Sequence, residues 1–139
     1  MRYIIGLFIL AAIVSGCYPV PDYDSGRNPF LEDFDGSYID DIRAVRDFDG
    51  SGDLHYDVYF RLDNEYIPYD ALRVEVHVDE RPDDHFFVEI FSEEDKMSEL
   101  SFTDYKVVDG DTYTYRFNLG YKKQISRPSN EPFILKIEP

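Results

Sequence analysis

The strongest regularity in the chain is a two-residue alternation. Leu54, Tyr56, Val58, Phe60 and Leu62 are apolar while His55, Asp57 and Arg61 between them are polar, the period of a strand with one buried face. Leu72, Val74, Val76 and Val78 repeat the pattern against Arg73, Glu75 and His77, and Tyr113, Tyr115, Phe117 and Leu119 repeat it against Thr114, Arg116 and Asn118. Less regular strands are expected over 38–46, 85–91, 99–108 and 133–138. Within 99–108, Leu100 and Phe102 share one phase while Tyr105 and Val107 share the other, which predicts a bulge near Thr103-Asp104.

Turn chemistry falls between these runs, at Asp49-Gly50-Ser51-Gly52, Arg81-Pro82-Asp83 and Asp109-Gly110. The stretch from Ser92 to Ser98 reads as one helical turn, with Ser92 as its cap and Asp95 three residues on. Seven short strands separated by turns predict an all-β fold, a single antiparallel β-sandwich.

The segment from Val107 to Tyr115 (VVDGDTYTY) resembles the E-to-F corner of immunoglobulin-like and fibronectin type III domains, with Tyr113 in the place of the corner tyrosine. The chain has one Cys and no Trp, so the disulfide and core Trp of true immunoglobulin domains are missing. The resemblance is architectural, spans residues 37–139, and implies a fold without a function.

The first residues follow a different rule. Met1-Arg2 gives a short positive start, Tyr3 to Val14 is almost wholly apolar, and Ser15-Gly16-Cys17 follows. Such a run is too short for a bilayer, which takes about twenty residues, and suits a secretory signal. Val14-Ser15-Gly16-Cys17 resembles the lipobox of bacterial lipoproteins, an aliphatic residue and two small ones before an obligatory Cys. The resemblance implies that 1–16 is a signal peptide and that Cys17, the chain's single Cys, becomes the acylated first residue of the mature protein. Several acyl chains, at about 0.8 kcal/mol per buried methylene, then hold the protein on the membrane. Tyr18 is not the Asp that resembles an inner-membrane retention signal, which favours the outer membrane of a Gram-negative cell. Residues 17–36, rich in Pro and Gly, read as the lipid-anchored Cys and a flexible tether, with Pro29-Phe30-Leu31 able to dock on the domain edge, and 37–139 as the sandwich.

Charge narrows the function. With 29 Asp and Glu against 14 Lys and Arg, the net charge is -15, and this surface would repel nucleic acid phosphates. Every one of the acids lies beyond Cys17. The acid excess also discourages close contact with anionic lipid unless divalent ions bridge the two.

The best candidate for chemistry is Asp47-Phe48-Asp49-Gly50-Ser51-Gly52-Asp53-Leu54, which resembles the first two-thirds of an EF-hand loop. Asp47, Asp49, Ser51 and Asp53 would offer oxygens to calcium, a hard cation that takes only oxygen ligands. Val58 stands where that family has its bidentate Glu, and a strand follows instead of a helix, so Asp57 or a backbone carbonyl would have to close the site. The pentapeptide DFDGS occurs at 33–37 and 47–51, marking two similar turns with Phe34 and Phe48 tucked inward. His55 and His77 lie on the polar phases of their strands. Were those strands hairpin neighbours, the two could hold Zn or Cu, but in an immunoglobulin-like topology they fall in different sheets.

No nucleophile elbow and no glycine-rich phosphate loop is present in the sequence, and no thiol is left once Cys17 is acylated. Tyr59, Tyr66, Tyr69 and Tyr121, joined by Phe87 and Phe91, are expected on outer phases and loops, where aromatic rings favour binding surfaces. The expectation is therefore an envelope lipoprotein that is not an enzyme and acts as a binding or structural module toward an envelope protein or glycan. A calcium-dependent adhesion or carbohydrate-binding module and a small hydrolase are the alternatives.

Overall fold

The computed structural model describes residues 28–63 and 73–139. Among them are eight strands and one short helix: β1 (Ile39–Phe48), β2 (Leu54–Leu62), β3 (Arg73–Val78), β4 (Arg81–Glu89), α1 (Glu93–Met97), β5 (Leu100–Asp104), β6 (Thr112–Tyr121), β7 (Gln124–Ile125) and β8 (Phe133–Lys136). The protein is an antiparallel β-sandwich. One sheet has the order β1-β2-β5; the other runs β4-β3-β6, with β7 and β8 both pairing with β6.

The alternating residues do what their period requires. Val58 and Phe60 of β2, Val74 and Val76 of β3, and Tyr115, Phe117 and Leu119 of β6 are fully buried between the sheets. The Phe60 ring meets Phe117 at 5.2 Å, and Phe102 meets Phe86 at 4.6 Å and Tyr115 at 5.7 Å, so aromatic contacts cross the gap at several levels. Burial of each large apolar side chain contributes about 1.5–3 kcal/mol.

The expected turn at Asp109-Gly110 forms. Gly110 adopts a φ of 85° before β6, and the Val108 N–H donates to the Tyr113 hydroxyl at 3.1 Å, tying the start of β6 back to the chain before it. The expected helical turn forms too, with the Asp95 N–H donating to Ser92 Oγ at 3.2 Å.

Local expectations differ from the structure in four places. Arg81-Pro82-Asp83 is strand, and the turn is Asp79-Glu80. Pro82 is tolerated because β4 is a sheet edge, where a missing N–H breaks no ladder bond. No bulge forms at Thr103-Asp104: β5 ends there, and Asp104 keeps the inward phase of Leu100 and Phe102. The register shifts lie instead between Asp40 and Arg43, beside Asp41 at a φ of 49°, and between His77 and Val78. Phe34 is buried against Tyr38 at 5.8 Å, but Phe48, in the second copy of the pentapeptide, is exposed under the Arg46 guanidinium. Finally, Gln124-Ile125 forms a strand that periodicity did not mark, folded back on Gly120-Tyr121 through a turn with Lys122 at a φ of 53°.

Residues 28–36, assigned by composition to the tether, belong to the domain. Asn28 and Pro29 are buried, the Arg127 N–H donates to the Pro29 carbonyl at 2.8 Å, and the Arg127 guanidinium donates to the Glu32 carbonyl. The Asn130 N–H reaches the Gly36 carbonyl at 3.0 Å. This segment packs on the irregular chain between β7 and β8 and leads into Tyr38, whose hydroxyl donates to the Phe117 or Arg127 carbonyl and contacts Ser126 Oγ at 3.0 Å. Burial pushes the Tyr38 hydroxyl well above the usual tyrosine range, against the opposing pull of Ser126 and of the Ser129 and Leu119 backbone.

Candidate functional site

The outer face of the three-stranded sheet is ordered by its register. Asp47 faces His55 and Val45 faces Asp57 across β1 and β2; Asp57 in turn faces Thr103 of β5, and Arg43 faces Tyr59. Asp47, His55 and Asp57 therefore share one face at the end of the sheet nearest the β1–β2 loop. Among the described residues, these three are a group of His, Cys, Asp or Glu side chains whose ligand atoms all lie within 4.8 Å of one another.

The surroundings hold two of the three in place. Thr103 Oγ1 donates to Asp57 Oδ1 at 2.6 Å, and the Tyr105 ring lies 5.1 Å from the imidazole of His55. Although it sits on an outer face, His55 is only 8% exposed, and its Nδ1 is buried with no hydrogen-bond partner. Asp47 is at the surface, with Oδ1 accepting the Phe48 N–H at 2.8 Å.

The oxygen set expected for calcium is divided. Asp49 turns its carboxylate into its own loop, where Oδ1 accepts the Ser51 N–H at 2.8 Å and the Asp53 N–H at 3.0 Å. The backbone closes the same turn, Gly52 N–H to the Asp49 carbonyl at 2.9 Å and Asp49 N–H to the Asp53 carbonyl at 3.0 Å, with Gly52 at a φ of 86°. The Asp53 N–H first, then that of Ser51, hold the Asp49 carboxyl below the usual carboxylate range. Of the three carboxylates Asp47, Asp49 and Asp53, only Asp47 joins the group with His55 and Asp57.

The aromatic residues also divide. Tyr59 lies on the outer face of β2, with the Arg43 guanidinium 4.1 Å above its ring. Tyr121 is buried, not exposed as expected, because the segment before β1 lays Phe30 against it at 6.0 Å. Tyr66 and Tyr69 lie outside the described residues, as does Cys17. Phe87 is exposed on β4 below Arg73 at 5.1 Å, and Phe91 beyond the strand is 86% exposed.

His55 and His77 fall in different sheets, so they do not meet. His77 instead faces His85 across β3 and β4, ring centres 6.0 Å apart, with the buried Glu75 carboxylate 3.9 Å from its Nε2. Periodicity does not show this pair, because a turn at Arg81-Pro82-Asp83 would set His77 opposite Phe87, whereas the turn lies at Asp79-Glu80.

The most buried charge, Asp104, is used between the sheets. Asp104 accepts two hydrogen bonds from the Arg81 guanidinium, the Lys106 N–H at 2.9 Å and the Tyr115 hydroxyl at 2.8 Å. Burial alone would raise the Asp104 pKa; Arg81, Lys106 and Tyr115 outweigh it and hold the carboxyl below its ordinary value. Comparison with known proteins finds no family model, no curated protein and no solved structure that matches this chain.

Proposed function

We propose that the protein is an exported, lipid-anchored β-sandwich of the bacterial cell envelope, acting as a non-catalytic binding or structural module. The observation that carries this reading is Val14-Ser15-Gly16-Cys17, with the chain's single Cys directly behind an apolar export segment. The fold supports it in one respect: Asp104, Arg81, Tyr115 and Tyr38 are engaged in joining the two sheets. The domain begins by Asn28, so the chain from Cys17 to Asn28 reaches about 40 Å at most, which keeps the acidic sandwich near the membrane. Tyr18 behind the Cys, in place of an Asp, favours the outer membrane of a Gram-negative cell as the destination.

Replacement of Cys17 by Ser tests the anchor. The variant is expected in the soluble fraction, with wild type in the membrane fraction; retention of Cys17→Ser on the membrane overturns the lipoprotein reading. Crosslinking of wild type in intact cells, followed by identification of the captured envelope component, then separates binding from simple support.

A further inference from the structure

We infer that Asp47, His55 and Asp57 form a binding site for one divalent transition-metal ion of the zinc class. This inference is independent of the anchor and of any adhesive role. The register of the β1–β2 hairpin sets Asp47 opposite His55 and puts Asp57 on the same face two residues along, so three ligand groups converge without help from the loop. A shared face of acidic residues is common on a chain this acidic, and would carry nothing alone. The second observation is the imidazole. His55 is more than nine-tenths buried beneath Tyr105, two carboxylates stand beside it, and its Nδ1 still has no hydrogen-bond partner. A buried polar atom is rarely left unsatisfied, and a metal ion beside two carboxylates is a partner of the kind it calls for.

The donor set selects the ion. Calcium takes six to eight oxygens and magnesium a near-octahedral oxygen shell, whereas one imidazole nitrogen with two carboxylate oxygens suits zinc and its neighbours. Each carboxylate has an oxygen left for the metal, since only Oδ1 of Asp57 meets Thr103 and only Oδ1 of Asp47 meets the Phe48 N–H among the described residues. The three donors already lie within 4.8 Å of one another, and zinc bonds of about 2.0–2.2 Å would draw them onto one ion. Asp47, at the surface, is the ligand best able to adjust by rotation. The Thr103 hydroxyl orients Asp57 as an outer-shell partner does, and two carboxylates with one dication leave the cluster neutral. Three protein donors leave a fourth position for water or for a group on a partner.

The test is zinc titration of the full-length protein in detergent after treatment with chelator, read by competition with a chromophoric chelator and by the visible absorption of a cobalt-substituted sample. The expected result is one strong equivalent per chain, undisturbed by excess calcium, with affinity at least tenfold weaker in His55→Ala and Asp57→Asn. Asp47→Asn, at an exposed position that does not threaten the fold, is expected to weaken it similarly. Absence of a stoichiometric equivalent overturns the site. So does uptake unchanged in Asp47→Asn and in whichever of the other two variants keep the wild-type circular dichroism, since that assigns the ion to the general acidic surface.

Discussion

Arg81, the first residue of β4, and Asp104, the last of β5, form an ion pair that joins one sheet to the other. Both guanidinium Nη atoms donate to the carboxylate, Arg81 Nη1 also donates to the Lys106 carbonyl at 3.0 Å, and the Tyr113 ring lies 4.6 Å from the guanidinium. Asp104 is fully buried, so its charge depends on these partners. Asp104→Asn is expected to lower unfolding free energy by about 3 kcal/mol, because it leaves Arg81 facing a neutral partner in a dry site. Urea denaturation measures this. Tyr115→Phe, which removes one donor and keeps the pair, is expected to cost about 1–2 kcal/mol.

The same network sets a pH window. Asp104 has a folded pKa below its unfolded value of about 3.9, so its contribution is complete above that pH and is lost as pH falls through the folded value. Tyr38 and Tyr115 act at the other end. Burial foremost raises both hydroxyls, helped at Tyr115 by its bond to Asp104, so the folded state holds protons that the unfolded chain releases above about pH 10. Stability is therefore expected to fall below pH 4 and again above pH 10. In an alkaline absorbance titration, the last tyrosines to ionise should do so together with unfolding; smooth titration of every tyrosine in the folded protein would contradict this.

Tyr38 tests how the segment before β1 is attached. Its hydroxyl meets the Phe117 carbonyl at 2.7 Å, the Arg127 carbonyl at 2.8 Å and Ser126 Oγ. Each of these keeps another partner: Ser129 N–H on Phe117, Ser126 Oγ on Arg127, and Leu119 N–H on Ser126. Tyr38→Phe should thus cost only about 1 kcal/mol by thermal or urea melting. Tyr38→Ala, which empties a fully buried site, should cost about 3–5 kcal/mol.

Gly120 on β6 faces Arg73 on β3, and a Cβ there would lie 2.9 Å from Arg73 Cγ and 3.3 Å from Glu75 Oε1. Arg73 is the partner able to move. Displacing it removes its donation to the buried Glu75 carboxylate, at 2.7 Å from Nε and 2.6 Å from Nη2. Gly120→Ala is expected to destabilise by about 1–3 kcal/mol. Gly50→Ala, with open space around the new Cβ, should stay within about 0.5 kcal/mol of wild type in the same denaturation series.

Particular residues explain why parts of this architecture were legible in the sequence. The alternation in 54–62 and 113–119 names the inner face of β2 and β6 because every inward residue there is apolar. Asp104 hid the end of β5, since a buried carboxylate reads as a change of phase until its partner Arg81 is known. Pro82 hid the start of β4, because an edge position that tolerates proline looks like a turn from composition alone. The cluster of Asp47, His55 and Asp57 was half visible. Asp47 and His55 are equidistant from Ser51 in the hairpin, but Asp47-Phe48-Asp49 reads as loop, and only a β1 that continues through Phe48 puts them face to face. Phe34 and Phe48 sit in identical pentapeptides with opposite burial, so that difference was settled by what packs on them and not by local sequence.

Asp49 decides what the hairpin loop is for. Its Oδ1 receives the Ser51 and Asp53 N–H groups, which satisfies the turn from within and leaves that oxygen committed. Asp49→Ala is therefore expected to lower the melting temperature without any added ion. Because the Asp49 pKa is depressed, its contribution is present above the ordinary carboxylate range and lost as pH falls through the folded value, so the two proteins should converge in acid. Calcium is expected to leave both melting temperatures unchanged, since the loop already supplies the donors that the carboxylate needs. A calcium-dependent rise in wild type that disappears in Asp49→Ala would instead make the loop a calcium site. The zinc titration should be alike in Asp49→Ala and wild type, because Asp49 stands outside the group formed by Asp47, His55 and Asp57.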